Sequence, residues 1–140
     1  MMGSERVDER RAQKLLKSQS WVIASTEWIL DSELLKLARF ESSSELTEWK
    51  SKKKLFSVIY EGVEYYPLYA FEVESKFRPI ESLAAILKEL GTAKNDWGIA
   101  YWFSSPNGFL GGFAAQCLLK TEPGKVLEAA KDELLGIQHG

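Results

Sequence analysis

Trp97 to Val126 read WGIAYWFSSPNGFLGGFAAQCLLKTEPGKV, and the spacing of the breaks in this stretch decides the fold. Residues 97 to 103 are apolar nearly all round, which suits a helix buried among others. Asn95 or Asp96 supplies the short oxygen-bearing side chain that satisfies first-turn amides, so a helix is predicted through Phe103. Ser105 followed by Pro106 opens a second helix, because proline in the first helical position loses no needed donor. Gly111 and Gly112 end it, since glycine reaches the left-handed conformations in which helices stop. A third helix is predicted over Phe113 to Leu119, and Thr121, Glu122 and Pro123 cap a fourth. That last helix runs from about Glu122 to Leu135, with Val126, Ala130 and Leu134 inward and Ile137 following. Gly136 to Gly140 form a short tail.

Working outward, Ile80, Leu83, Ala84, Leu87 and Leu90 follow the 3.6-residue period, and Gly91 closes a helix predicted over Pro79 to Leu90. Before it, LFSVIYEGVEYYPLYAF (Leu55 to Phe71) is the clearest β signal. Two runs of β-branched and aromatic residues flank Glu61-Gly62, a two-residue hairpin turn. Alternation puts Phe56, Val58 and Tyr60 on one face of the first strand, and Val63, Tyr65, Pro67 and Tyr69 on one face of the second. Pro67 requires an unpaired edge at its own position. A lone hairpin is marginal, so this one must lie on helices.

The N-terminal third reads as short helices. Val7, Ala12, Leu15 and Leu16 share one side of a helix over residues 5 to 18 whose apolar stripe is thin, as in an arm that packs on a partner subunit. Ser25, Thr26 and Glu27 open a helix containing Trp28, Ile29 and Leu30; Ser32 and Glu33 open another carrying Leu34, Leu35, Leu37 and Ala38. Arg39 to Ser44 is a turn, and Ser44 caps a helix with Leu46 and Trp49 inward. This order resembles a helix-turn-helix. The helix from Glu45 to about Lys52 would then face DNA, with Lys50, Lys52, Lys53 and Lys54 reaching phosphates. Glu45 and Glu48 on the same helix oppose that reading, because carboxylates repel phosphate and usefully accept only from cytosine.

The net charge of -2 excludes the strongly basic balance of a small nucleic-acid binder and leaves only a local basic patch. A single cysteine, Cys117, forms no internal disulfide and reads as a buried small hydrophobe, which fits a reducing cytoplasm. His139 is the single histidine. No nucleophile has an evident base, so no catalytic residue, cofactor site or metal site is assigned and an enzyme is not expected. No apolar run approaches a membrane span or a signal peptide. The expected fold is mainly α: a helix-turn-helix-like region over 1–54, a β-hairpin and connector over 55–78, and a compact helical unit over 79–140.

The order of parts resembles the C-terminal toxin-binding domain of the Xre/MbcA/ParS antitoxin family, from bacterial type II toxin-antitoxin pairs. The residues that carry the resemblance are Trp102 and Phe103, Pro106 and Asn107, Leu110 to Gly112, Leu118 and Leu119, Thr121 to Gly124, and Gly140. It covers about residues 79 to 140. One departure is Ala115, where relatives often have proline. The resemblance implies a protein that neutralises a toxin by direct binding, often a RES-domain toxin that degrades NAD. It also implies a homodimer, with autoregulation through operator DNA. It points to the C-terminal end as the toxin contact; there the sequence itself sets Lys125, Glu128, Lys131 and Asp132 on the outward side of the last helix as a polar rim and leaves Gln138, His139 and Gly140 beyond the final apolar residue, Ile137. The turn from Ser104 to Gly112 is the next surface to consider. The alternative reading is a stand-alone transcriptional regulator in which residues 32 to 54 read DNA and the hairpin is a wing.

Overall fold

A computed structural model describes residues 2–38 and 44–139, with side chains described from Glu9 to Ile137. The chain runs α1 (Met2–Ala24), β1 (Trp28–Leu30), α2 (Asp31–Leu37), α3 (Ser44–Ser51), β2 (Val58–Tyr60), β3 (Val63–Pro67), β4 (Phe71–Glu72), β5 (Arg78–Pro79), α4 (Leu83–Leu90), α5 (Asp96–Ser104), α6 (Ala115–Leu118) and α7 (Pro123–His139). It is mainly helical, as the sequence predicts, with a small three-stranded antiparallel sheet and a two-stranded ribbon. The turn expected over Arg39 to Ser44 falls largely on residues 39–43, outside the described residues.

Trp28 to Leu30 are a strand and not the predicted helix. Ser25 closes α1 instead of opening a new helix: its amide and its hydroxyl both reach the Val22 carbonyl. Trp28 adds to that closure by donating its indole N–H to the Ile23 carbonyl at 3.1 Å. The chain then pairs antiparallel with β3, Trp28 against Pro67 and Leu30 against Tyr65, so the sheet order is β1-β3-β2. The hairpin is as predicted at its turn, where Glu61 and Gly62 both take positive φ (51° and 79°). Both angles suit a type I′ turn. Its second strand, however, is central. Pro67 is tolerated there because the Leu68 amide already donates to Glu27, so Pro67 points the other way, past the Val58–Tyr65 pair where β2 pairing begins. A turn at Leu68–Ala70 then breaks the alternation, so Tyr69 does not continue the strand face.

Both faces of the sheet are covered at its centre. Val58 is buried on one face and Tyr66 and Ile29 on the other. The first is closed by α1 and α5, with Ser20 hydrogen-bonded to Tyr60 and Trp97 set edge-on to the Tyr60 ring. The second is closed by α2 and α3, with the Tyr66 hydroxyl donating to Asp31 and Lys50 lying over the Tyr66 ring.

The predicted helix over Pro79 to Leu90 is shorter. Pro79 belongs to β5, opposite Phe71, and α4 begins at Leu83; Leu83, Ile86, Leu87 and Leu90 are buried against α7. At α5 the cap is Asn95, whose side chain accepts from the Gly98 amide at 2.9 Å. Phe103 is fully buried, stacked on Phe56 at 6.0 Å and tilted against Tyr69 at 5.2 Å. Ser104, also buried, accepts from Ser25 and donates to the Ala100 carbonyl, both at 2.9 Å, while Gln116 donates to the Ser25 carbonyl. These bonds tie α1, α5 and α6 together.

Pro106 does not open a helix. It forms an isolated bridge with Ala114, and Asn107 organises the turn between them. The Asn107 side chain accepts from the Phe109 amide and its carbonyl from the Leu110 and Gly112 amides. Gly111 and Gly112 reverse the chain at φ 70° and 91°, which L side chains resist. The third helix is correspondingly reduced to Ala115–Leu118, with Cys117 exposed and not buried.

Replacing Phe103 by alanine should lower unfolding free energy by about 3–5 kcal/mol. The exposed Phe113 changed to alanine should stay within about 0.5 kcal/mol of the parent. Urea unfolding measures both, and equal losses would mean that the core has been placed wrongly.

Candidate functional site

The lysines expected to meet DNA lie at the C-terminal end of α3, and two of the four are already met by carboxylates. Lys50 pairs with Glu64 at 2.7 Å, and Lys52 pairs with Glu48 one turn earlier on the same helix. Glu45, at the other end of α3, pairs with Arg78. Leu46 and Trp49 are buried as predicted, so α3 lies lengthwise on the body, flanked by an ion pair at either side. Lys53 and Lys54 have no carboxylate at ion-pair distance among the described residues. Lys53 takes a positive φ of 55° where the helix ends.

A cleft of about 580 Å³ separates this end of α3 from α4, with Lys52, Lys53 and Lys88 around it and Ala84 and Leu87 as apolar floor. Both helices point their carbonyl ends here. Lysines at such ends neutralise the partial negative charge of the unpaired carbonyls, which accounts for a cationic rim without any ligand.

Glu64 is the electrostatic anchor of the region. Partial burial pushes its carboxyl up, but hydrogen bonds from Lys50 and Ser57 outweigh that and hold it below the ordinary 4.5. Lys52 likewise holds the Glu48 carboxyl down.

The second surface is the last helix. Lys125, Glu128, Lys131 and Asp132 are all exposed on α7, as predicted, while Val126, Ala129 and Ala130 are buried. Lys125 pairs with Glu122 at 2.9 Å and Lys131 with Glu128 at 3.9 Å. On the inner side, Lys94 from the loop before α5 pairs with Glu133 at 3.1 Å and holds α7 to the body. The expected tail is helical: α7 continues through Gly136 to His139. Gln138 and His139 lie beyond the described side chains, and Gly140 lies outside the described residues. Before them, Leu135 is 54% exposed and Ile137 47%. Ile137 follows the inward stripe of Ala130 and Leu134, but that stripe has run past the body.

The third surface is the Asn107 turn, which presents Phe109 and Phe113 to solvent. Sequence reasoning missed Phe109, Phe113 and Leu135 as surface residues. Helical periodicity does not apply inside a 3₁₀ turn, and it cannot say where a body ends beneath a helix.

Among the described residues no group of three or more His, Cys, Asp or Glu side chains is arranged to hold a metal ion, and no helix is long and apolar enough to cross a membrane. Comparison of the chain with protein-family models, with curated proteins and with solved structures found no match.

Two outcomes are expected. Because the folded Glu64 value is depressed, its contribution to stability is complete above the free-glutamate value and is lost as pH falls through the folded one. The stability gap between the parent and Glu64→Gln should thus be at most about 1 kcal/mol near neutrality and shrink in acid; urea titrations at several pH values measure it. For DNA, Lys53→Ala with Lys54→Ala should remove more binding to any duplex than Lys50→Ala with Lys52→Ala, and should flatten the salt dependence more. Gel-shift series at several salt concentrations decide the order; the reverse order means the paired lysines carry the contact.

Proposed function

We propose that this chain is the antitoxin of a bacterial type II toxin-antitoxin pair, acting in the cytoplasm as a homodimer that neutralises its toxin by direct binding. The observation that carries this reading is the end of α7, where Leu135 and Ile137 stand bare beside the charged Lys131 and Asp132. Apolar anchors within a polar rim are the composition of a protein-binding surface. It lies on the segment to which the resemblance to Xre/MbcA/ParS proteins points. The residues carrying that resemblance also work as one unit: Phe103 locks α5, Asn107 shapes the turn, and Glu122 leads into α7.

Neutralisation by this route is steric and electrostatic. The anchors enter an apolar recess on the toxin, the rim residues Lys125, Glu128, Lys131 and Asp132 fix orientation, and Gln138, His139 and Gly140 extend the contact. The resemblance nominates a RES-domain, NAD-degrading toxin. Promoter binding through Lys53 and Lys54 is the secondary activity in this reading. The alternative of a stand-alone regulator is disfavoured, because Lys50 and Lys52 would have to leave Glu64 and Glu48 to meet phosphate.

The test is co-expression with the product of the adjacent gene, scored by cell growth and co-purification. Leu135→Asp with Ile137→Asp, and separately deletion of Gln138 to Gly140, should weaken neutralisation while leaving the melting temperature nearly unchanged. Full neutralisation by both variants would move the contact to the Asn107 turn, where Phe109→Ser with Phe113→Ser is the corresponding change. Failure of all three to alter neutralisation would sink the assignment of these surfaces.

A further inference from the structure

One face of α1 carries a charge that its neighbours do not answer. Arg10, Lys14, Lys17 and Trp21 recur at intervals of four, three and four residues, which sets them in one stripe along the helix. With Arg11, the segment from Arg10 to Ala24 holds four bases and no acid. Among the described residues none of the four has a carboxylate at ion-pair distance, whereas Lys50, Lys52, Arg78, Lys94, Lys125 and Lys131 all do. The helix dipole does not account for them either. Lys17 stands seven residues before the end of α1, and the last turn holds no base. Like charges three and four residues apart repel, so the stripe weakens its own helix until an anion meets it.

The stripe ends on an aromatic pair. Trp21 is 45% exposed and Tyr101 of α5 is 49% exposed, with ring centroids 5.6 Å apart and planes at 51°. Val22 and Ile23 take the inner side of this turn, so α1 is held to the body without burying Trp21. We propose that this face binds single-stranded RNA, with Arg10, Lys14 and Lys17 on phosphates and the Trp21–Tyr101 pair as the platform on which a base stacks. Arg10 to Trp21 spans about 17 Å at 1.5 Å per residue, the reach of roughly five phosphates at a stacked spacing of about 3.4 Å. A duplex keeps its bases stacked on one another and offers the rings no free face; unpaired RNA presents them. A cationic helix can also lie on an anionic membrane, but there the aromatic residues share the apolar side. Trp21 shares the basic stripe, on the other side of the helix from Leu15 and Leu16. The surface uses neither the α7 contact nor the α3 lysines, so it stands apart from the function proposed above.

A labelled oligouridine of about 12 nucleotides is the probe, read by fluorescence anisotropy against the full chain. It should bind more tightly than an RNA duplex of the same length at equal salt. With these three side chains on phosphates, the logarithm of the association constant should fall with the logarithm of salt at a slope of about −2. Arg10→Ala with Lys14→Ala and Lys17→Ala should bring that slope close to zero. Trp21→Ala should raise the dissociation constant about 5- to 150-fold, which corresponds to about 1–3 kcal/mol of stacking for one base, and Trp21→Tyr should raise it less. Both sets of variants should keep the helical circular dichroism of the parent, and Lys53→Ala with Lys54→Ala should leave oligouridine binding unchanged. Ultraviolet crosslinking in growing cells should attach a nucleic acid that ribonuclease removes. Equal or tighter binding of the duplex, or of phosphatidylserine vesicles, overturns the single-strand reading, and unchanged binding by Trp21→Ala overturns the stacking platform. A crosslink removed only by deoxyribonuclease overturns the choice of RNA. A parent that does not bind oligouridine overturns the proposal and leaves the stripe to an acidic protein.

Discussion

The rest of the structure depends on the contact of Phe103 with Phe56 and Tyr69. Phe103 comes from α5, Phe56 from the approach to the hairpin, and Tyr69 from the turn that leaves it. Offset and tilted ring pairs add about 0.5–1.5 kcal/mol each beyond the area they bury. The cluster therefore fixes where the sheet sits relative to the C-terminal helices, and it does so without a charged group. The hydroxyl of Ser104, next in sequence, meets Ser25 at the end of α1. One turn of α5 thus joins the sheet on one side and the N-terminal helix on the other.

Polar groups in this frame mostly balance one another. α3 carries alternating charges, yet Glu45, Glu48, Lys50 and Lys52 are each met by an opposite charge. Exposed pairs of this kind add little to stability. What they change is the field outside the molecule: a helix whose lysines face carboxylates attracts a polyanion weakly. Bare apolar residues are found on α1 and α7, on the turn between α5 and α6, and on the hairpin at Ile59 and Val63.

Features set by neighbours in the chain were legible in the sequence. A cap for α5 at Asn95 or Asp96, Glu61-Gly62 as the hairpin turn, a chain break at Gly111-Gly112 and the outward set on α7 each need only a few adjacent residues. Features set by distant partners were not legible. Trp28 to Leu30 is too short to declare itself a strand, and becomes one because β3 offers an open edge. Pro79 looks like a helix start until Phe71 pairs with it. Gly136 suggests a helix end, but one interior glycine costs about 1 kcal/mol and does not stop a helix whose earlier turns are packed. The exposed lengths of α1 and α7 depend on where the body stops, which the residues of a helix do not record.

The antiparallel pairing of β1 with β3 has a consequence for how this chain is inherited. The two strands come from opposite sides of α2 and α3, so the sheet closes over the segment that looks most like an independent DNA-binding module. Recombination that exchanged residues up to 54 for a different segment would remove β1 and leave β3 with one short neighbour, Val58–Tyr60. An acceptable replacement must bring its own edge strand in the same register. The pairing makes the N-terminal part a structural member of the fold, so its sequence stays constrained by the sheet whatever its outer surface meets.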